Sequence, residues 1–164
     1  MTKQILILLA AFLLSGSAAV ATAQNQPGKR QSIVYHTPKQ HSRNCSIWID
    51  DIGFGNSWTV VTMHYLRARG SANLSPSTRL ICHLKGGKTR VLTLQRTRGI
   101  SMTKDCYTQL GRGEVFQAYF STLNSAKIAR IKRIDFMEDP SDMADGNTFN
   151  IKNIRISQKH RVIR

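Results

Sequence analysis

Residues 79–96 constrain the fold more than any other stretch. Arg79–Lys85 (RLICHLK) and Lys88–Arg96 (KTRVLTLQR) alternate apolar and polar residues on either side of Gly86-Gly87. Two alternating runs joined by a glycine pair predict a tight antiparallel hairpin, because the turn that matches strand twist needs positive φ at both central positions. Other segments repeat the two-residue period. Ser46–Asp50 is a short strand ended by a loop over 51–56. Trp58–Leu66 carries bulky residues on both faces, as a central strand does. Glu114–Ser121 places Phe116, Ala118 and Phe120 on one face, and Ile131–Met137 and Thr148–Ser157 close the pattern. Residues 70–78 and 99–113 read as turn-rich or irregular, and Thr122–Ala129 as a short helical turn. No segment sustains a helical period beyond about two turns. The expectation is one all-β domain, an antiparallel β-sandwich or jelly roll, over residues 45–157.

The flanks read differently. Lys3, the apolar run Ile5–Leu14 and a small-residue stretch ending Ala21-Thr22-Ala23 have the three parts of a secretory signal peptide of bacterial style, residues 1–23. The apolar run is shorter than the ~20 residues needed to cross a bilayer, so no transmembrane segment is expected. The implied destination is periplasmic or extracellular. Residues 24–44 then read as a basic N-terminal arm holding one short strand near Ser32–Tyr35, and residues 158–164 as a basic C-terminal tail.

Export would place Cys45, Cys82 and Cys106 in an oxidising compartment, where one bridge is the default and the odd count leaves a third thiol. Cys82 shares its face with Leu80 and Leu84, which favours burial as a small hydrophobe and leaves Cys45–Cys106 as the expected pair. Other pairings remain open. The spacing lacks a Cys-x-x-Cys pair, which argues against a zinc site.

Lys and Arg total 24 against 9 Asp and Glu, a formal charge of +15. Of the 24 only Lys3 would leave with the signal, so the charge belongs to the working chain. A balance of this kind suits an anionic polymer, an acidic glycan, a lipid surface or an acidic protein partner. Lys85, Lys88 and Arg90 flank the glycine turn, and Arg130, Lys132 and Arg133 form a second cluster; these six are the anion-binding candidates. The acids are uneven. Asp135, Glu138, Asp139, Asp142 and Asp145 fall within residues 135–145. Glu138, Asp139, Asp142 and Asp145 offer oxygen ligands to a calcium ion, although the spacing is not that of an EF-hand. The plainer alternative is a solvated turn whose acids offset Lys127, Arg130, Lys132 and Arg133.

The C-terminal segment carries a family likeness. Ile131-Lys-Arg-Ile134-Asp-Phe136, an acidic loop, then Phe149-Asn-Ile151-Lys-Asn-Ile154-Arg-Ile156 resembles the closing strands of PLAT/LH2 β-sandwich domains, and of jelly-roll carbohydrate-binding modules. The likeness spans about residues 128–157, with Phe149 where the family usually has Trp. It implies a non-catalytic module for lipid surfaces, proteins or glycans, with calcium in the loops at Asp139, Asp142 and Asp145. Independently of it, Phe149 and Ile151 share one parity and Ile154 and Ile156 the other. A bulge near Lys152-Asn153 would bring all four to the core.

Catalysis has thinner support. His36, His41, His64, His83 and His160 are the acid–base candidates, and a small basic nuclease would pair two histidines with a lysine, His64 and His83 among them. No nucleophile elbow, zinc-protease helix or phosphate loop is present. The leading reading is an exported binding or interaction module. A nuclease and a toxin- or inhibitor-type protein-binding factor are the alternatives.

Overall fold

The computed structural model describes residues 32–41, 45–103, 105–139 and 148–163. It is an all-β, single-domain fold; among the described residues twelve strands carry almost all the regular structure. In chain order these are β1 (Ile33–His36), β2 (Lys39–His41), β3 (Ile47–Phe54), β4 (Thr59–Tyr65), β5 (Arg69–Ala72) and β6 (Arg79–Leu84). They continue with β7 (Thr89–Arg98), β8 (Thr108–Gly111), β9 (Val115–Phe120), β10 (Ile131–Met137), β11 (Ile151–Arg155) and β12 (Arg161–Ile163). A helical turn, α1 (Ser125–Ile128), falls where the sequence predicts it, and the Asn124 side chain caps it by accepting from the Ala126 N–H. Among the described residues no helix is long and apolar enough to cross a membrane.

Ten strands form one antiparallel sheet in the order β12-β1-β3-β4-β9-β7-β6-β10-β11-β2, and β5 pairs with β8 beside it. The sheet curls so that its two halves share a core. Strand β7 turns the corner: Arg79–His83 of β6 pair with its first half, β9 with its second, and the register breaks between Leu94 and Arg96. Across the interior Phe120 of β9 meets Phe136 of β10 edge to face at 6.0 Å. The alternation read from sequence is realised here. On β4, Thr59, Val61, Met63 and Tyr65 are buried, and on β9, Phe116, Ala118 and Phe120.

The described part of the expected basic N-terminal arm, residues 32–41, takes part in closing the sheet with two short strands. β1 and β2 are separated by only Thr37 and Pro38, yet β2 is the last strand of the order and β1 the second. β1 pairs with β3 as far as His36 opposite Asp51. The Thr37 N–H then donates to the Asp50 carbonyl at 2.7 Å, and the buried Gln40 takes over where strand pairing stops. Its Nε2 donates to the Ile49 carbonyl at 2.7 Å, and its Oε1 accepts from the Ile49 N–H at 3.1 Å. One side-chain amide thus does the work of a strand neighbour, satisfying both backbone polar groups of the buried Ile49. The expected C-terminal tail likewise contributes β12, which pairs with β1.

Three bulges shape the outer face, and each has one sequence signature: two buried apolar residues separated by two polar ones. Ile49-Asp50-Asp51-Ile52, Ile131-Lys132-Arg133-Ile134 and Ile151-Lys152-Asn153-Ile154 all show it, and the register shifts at each. A regular strand would send one residue of each polar pair into the core; the extra residue keeps both outside. The bulge expected at Lys152-Asn153 is present. Ile151 and Ile154 are fully buried, Phe149 and Ile156 pack against the core, and Asn153 takes a left-handed φ of 59°.

Candidate functional site

Five of the six cations singled out from sequence come together; Arg90 does not. The β6–β7 turn, with Gly86 and Gly87 at φ of 83° and 76°, carries Lys85 and Lys88. Neighbouring β10 brings Lys132 and Arg133, which its bulge turns outward side by side, with Arg133 opposite His83 of β6. Arg130 locks the turn to β10: its backbone carbonyl accepts from the Lys85 N–H at 2.8 Å, and its guanidinium donates to the Lys85 carbonyl at 3.2 Å. Arg90 is paired with the buried Cys82, so it projects from the same, inner side of the sheet and away from the other five, exposed near the hairpin end. His83, Leu84, Gly86, Gly87, Lys88, Lys132 and Arg133 enclose a shallow pocket of about 220 Å³.

A carboxylate at the rim of this cluster is already engaged. Asp135 Oδ2 lies 2.8 Å from His83 Nε2, and its Oδ1 accepts from the Asn153 N–H at 2.7 Å, which pins the β11 bulge. With the proton on Nε2, His83 donates to Asp135 and turns its Nδ1 lone pair toward the Arg133 guanidinium, 3.5 Å away. Arg133, His83, Asp135 and the β11 bulge thus form one relay across three strands. The arginine lines the same pocket as Lys88 and Lys132. The three like charges repel, a cost that an anion placed among them relieves.

The acidic loop is only partly described. Asp142 and Asp145 lie outside the described residues. Glu138 is buried and serves the fold: Oε1 accepts from the Ser75 N–H at 2.9 Å and from the Thr78 hydroxyl at 3.3 Å, and Oε2 accepts from the Phe149 N–H. Burial pushes its pKa up, against the opposing pull of these donors. With both oxygens committed to the loops it ties together, Glu138 suits an anchor better than a metal ligand. Among the described residues no three His, Cys, Asp or Glu side chains gather as a metal site.

All three cysteines are free thiols, so the expected Cys45–Cys106 bridge is not formed. Cys45 is half-buried at the entry to β3, whereas Cys106 is exposed between β7 and β8. Cys82 is fully buried as expected, and burial pushes its thiol up to about 12. A thiol held protonated in this way is no nucleophile.

Three histidine–aspartate pairs on the outer face were not evident from sequence. Besides His83–Asp135, His36 Nδ1 lies 2.6 Å from Asp51, and His64 Nδ1 lies 2.8 Å from Asp50. The β3 bulge makes the last two possible, by turning both aspartates outward toward opposite neighbours. His64 and His83, the histidines a nuclease would need together, stand on β4 and β6. That is three strand spacings apart, on the order of 14 Å along the sheet. Of the aromatics that could stack on a base or a sugar ring, Tyr35 and Tyr65 are core residues, while Trp58 and Tyr107 are exposed.

No protein-family model, curated protein or solved structure matches the chain.

Proposed function

We propose that the protein is a non-catalytic binding module for an anionic polymer carrying phosphate or sulfate groups, engaged by the β6–β7 turn and β10. The observation that carries this reading is the paired outward display of Lys132 and Arg133 at the β10 bulge, beside Lys88 around one shallow pocket. An extended polymer then reaches Lys85 and Arg130 at the turn. Each contact releases counterions, so affinity falls steeply with salt. The separation of His64 from His83 favours this reading over the nuclease. The signal-like leader favours an acidic glycan or lipopolysaccharide over nucleic acid as the polymer.

The test compares two triple variants on a heparin column. One is Lys88→Ala/Lys132→Ala/Arg133→Ala; the other removes the exposed Arg67, Arg69 and Lys159 elsewhere on the chain. Both lose three charges. The reading requires the first to elute at clearly lower salt than the second. Equal elution would show that net charge alone is responsible.

A further inference from the structure

A second feature of the outer face lies away from the basic cluster. β1, β3, β4, β9 and the β3–β4 loop form a trough of about 470 Å³, within the range of small-ligand sites. Its floor exists because residue 53 is glycine. Val34 of β1 and Val60 of β4 stand directly opposite Gly53 on either side. A Cβ at 53 would meet Val34 Cγ2 at 3.6 Å, so any larger side chain fills the space between the valines. Trp58 borders one end, 37% exposed. The Arg96 guanidinium lies 5.7 Å from its ring centre and 4.0 Å from that of Tyr119, which holds an exposed indole in a defined place.

Polar groups meet the trough at Asp51, Thr62 and Gln117. Each is oriented by a neighbour and keeps hydrogen-bonding capacity. Asp51 Oδ1 is taken by His36, leaving Oδ2. Thr62 Oγ1 accepts from Gln117 Nε2 at 3.3 Å, leaving the hydroxyl proton and the second amide N–H. Tyr119 donates to Gln117 Oε1 at 2.7 Å and so fixes which way the amide faces. An apolar floor, an aromatic rim and fixed donors and acceptors on rigid strands match a ligand with C–H faces and many hydroxyls. An anion would meet the Asp51 carboxylate, and a purely apolar ligand would strip water from three polar side chains without replacing it.

We propose that this trough binds the sugar rings of a neutral glycan, with ring C–H faces on Val34, Val60 and Trp58 and hydroxyls on Asp51, Thr62 and Gln117. The site is separate from the basic cluster and does not depend on it. Amide-resolved NMR titrations of the protein with neutral hexasaccharides of glucose, xylose, mannose and N-acetylglucosamine test it. They are run at about 0.5 M salt, where the screening length is only a few ångströms and the cationic face is silent. At least one saccharide is expected to give saturable shifts centred on Gly53, Thr62 and Gln117. Gly53→Val should weaken binding by about tenfold or more, as should Gln117→Ala, which leaves the core untouched. The Lys88/Lys132/Arg133 variant should bind as the wild type does. The proposal is overturned if none of the four gives saturable shifts there, if both trough variants bind undiminished, or if only peptides occupy the trough.

Discussion

Glu138 illustrates how a single side chain changes meaning between sequence and structure. In the sequence it is one acid among five. In the fold it ties residues 60 or more positions away to the last strands, through the Ser75 amide and the Thr78 hydroxyl. Partners that distant leave no local signal. Because burial raises its pKa, the folded chain holds this proton more tightly than the unfolded one. The stability that protonation adds is therefore complete below the ordinary value of 4.5 and is lost as pH rises through the raised folded value. Glu138→Gln lacks this titration and also turns an N–H donor toward Ser75 or Phe149, a cost of about 1–3 kcal/mol at neutral pH. Urea unfolding from pH 4 to 8 should show the wild type gaining on the variant as pH falls. A constant gap would remove the burial argument. Thiol chemistry offers a second check. Native protein should be alkylated quickly at Cys106 and at Cys82 only on unfolding, which peptide mass spectrometry would show; early labelling of Cys82 would contradict its place in the core.

At the scale of elements, alternation and the glycine pair made most of the sheet legible: the β6–β7 hairpin, β4, β9 and β10 stand where their periods put them. Strands β2, β5 and β8 were hidden, since they are three or four residues long and mostly polar. Their pairing comes from tertiary neighbours. The bulges have a signal in the sequence as well. Apolar residues three apart within a strand marked the one at Lys152-Asn153, and the same spacing at Ile49/Ile52 and Ile131/Ile134 announces the other two. Those two bulges bring out the charged pairs of both outer-face sites. The Gln40 clasp has no sequence signature. Gln40→Leu should leave the Ile49 N–H and carbonyl buried without partners and destabilise the fold by about 1–3 kcal/mol. Hydrogen exchange at Ile49 should accelerate by more than at Met63, its partner on β4. Unchanged exchange there would mean that the clasp does not close the sheet.

Across the whole molecule, a charge of +15 indicated an acidic partner but gave no address on the surface. The fold supplies one, by placing the turn at Gly86-Gly87 beside the β10 bulge and by engaging Asp135 with His83 and Asn153. The six cations were legible as two clusters in sequence; that five of them share one region, without Arg90, follows from the pairing of β6 with β10. The histidine–aspartate pairs and the trough at Gly53 were not legible, because each joins residues on different strands across a register that alternation alone does not fix. The central claim is that Lys88, Lys132 and Arg133 form an organised site, and its most direct measurement is heparin affinity as a function of salt. In plots of log affinity against log salt, each cation in contact contributes a slope of roughly one. The Lys88/Lys132/Arg133 variant should lower the slope by about three, and the Arg67/Arg69/Lys159 variant should leave it close to that of the wild type. Equal slopes for the two variants would contradict the account.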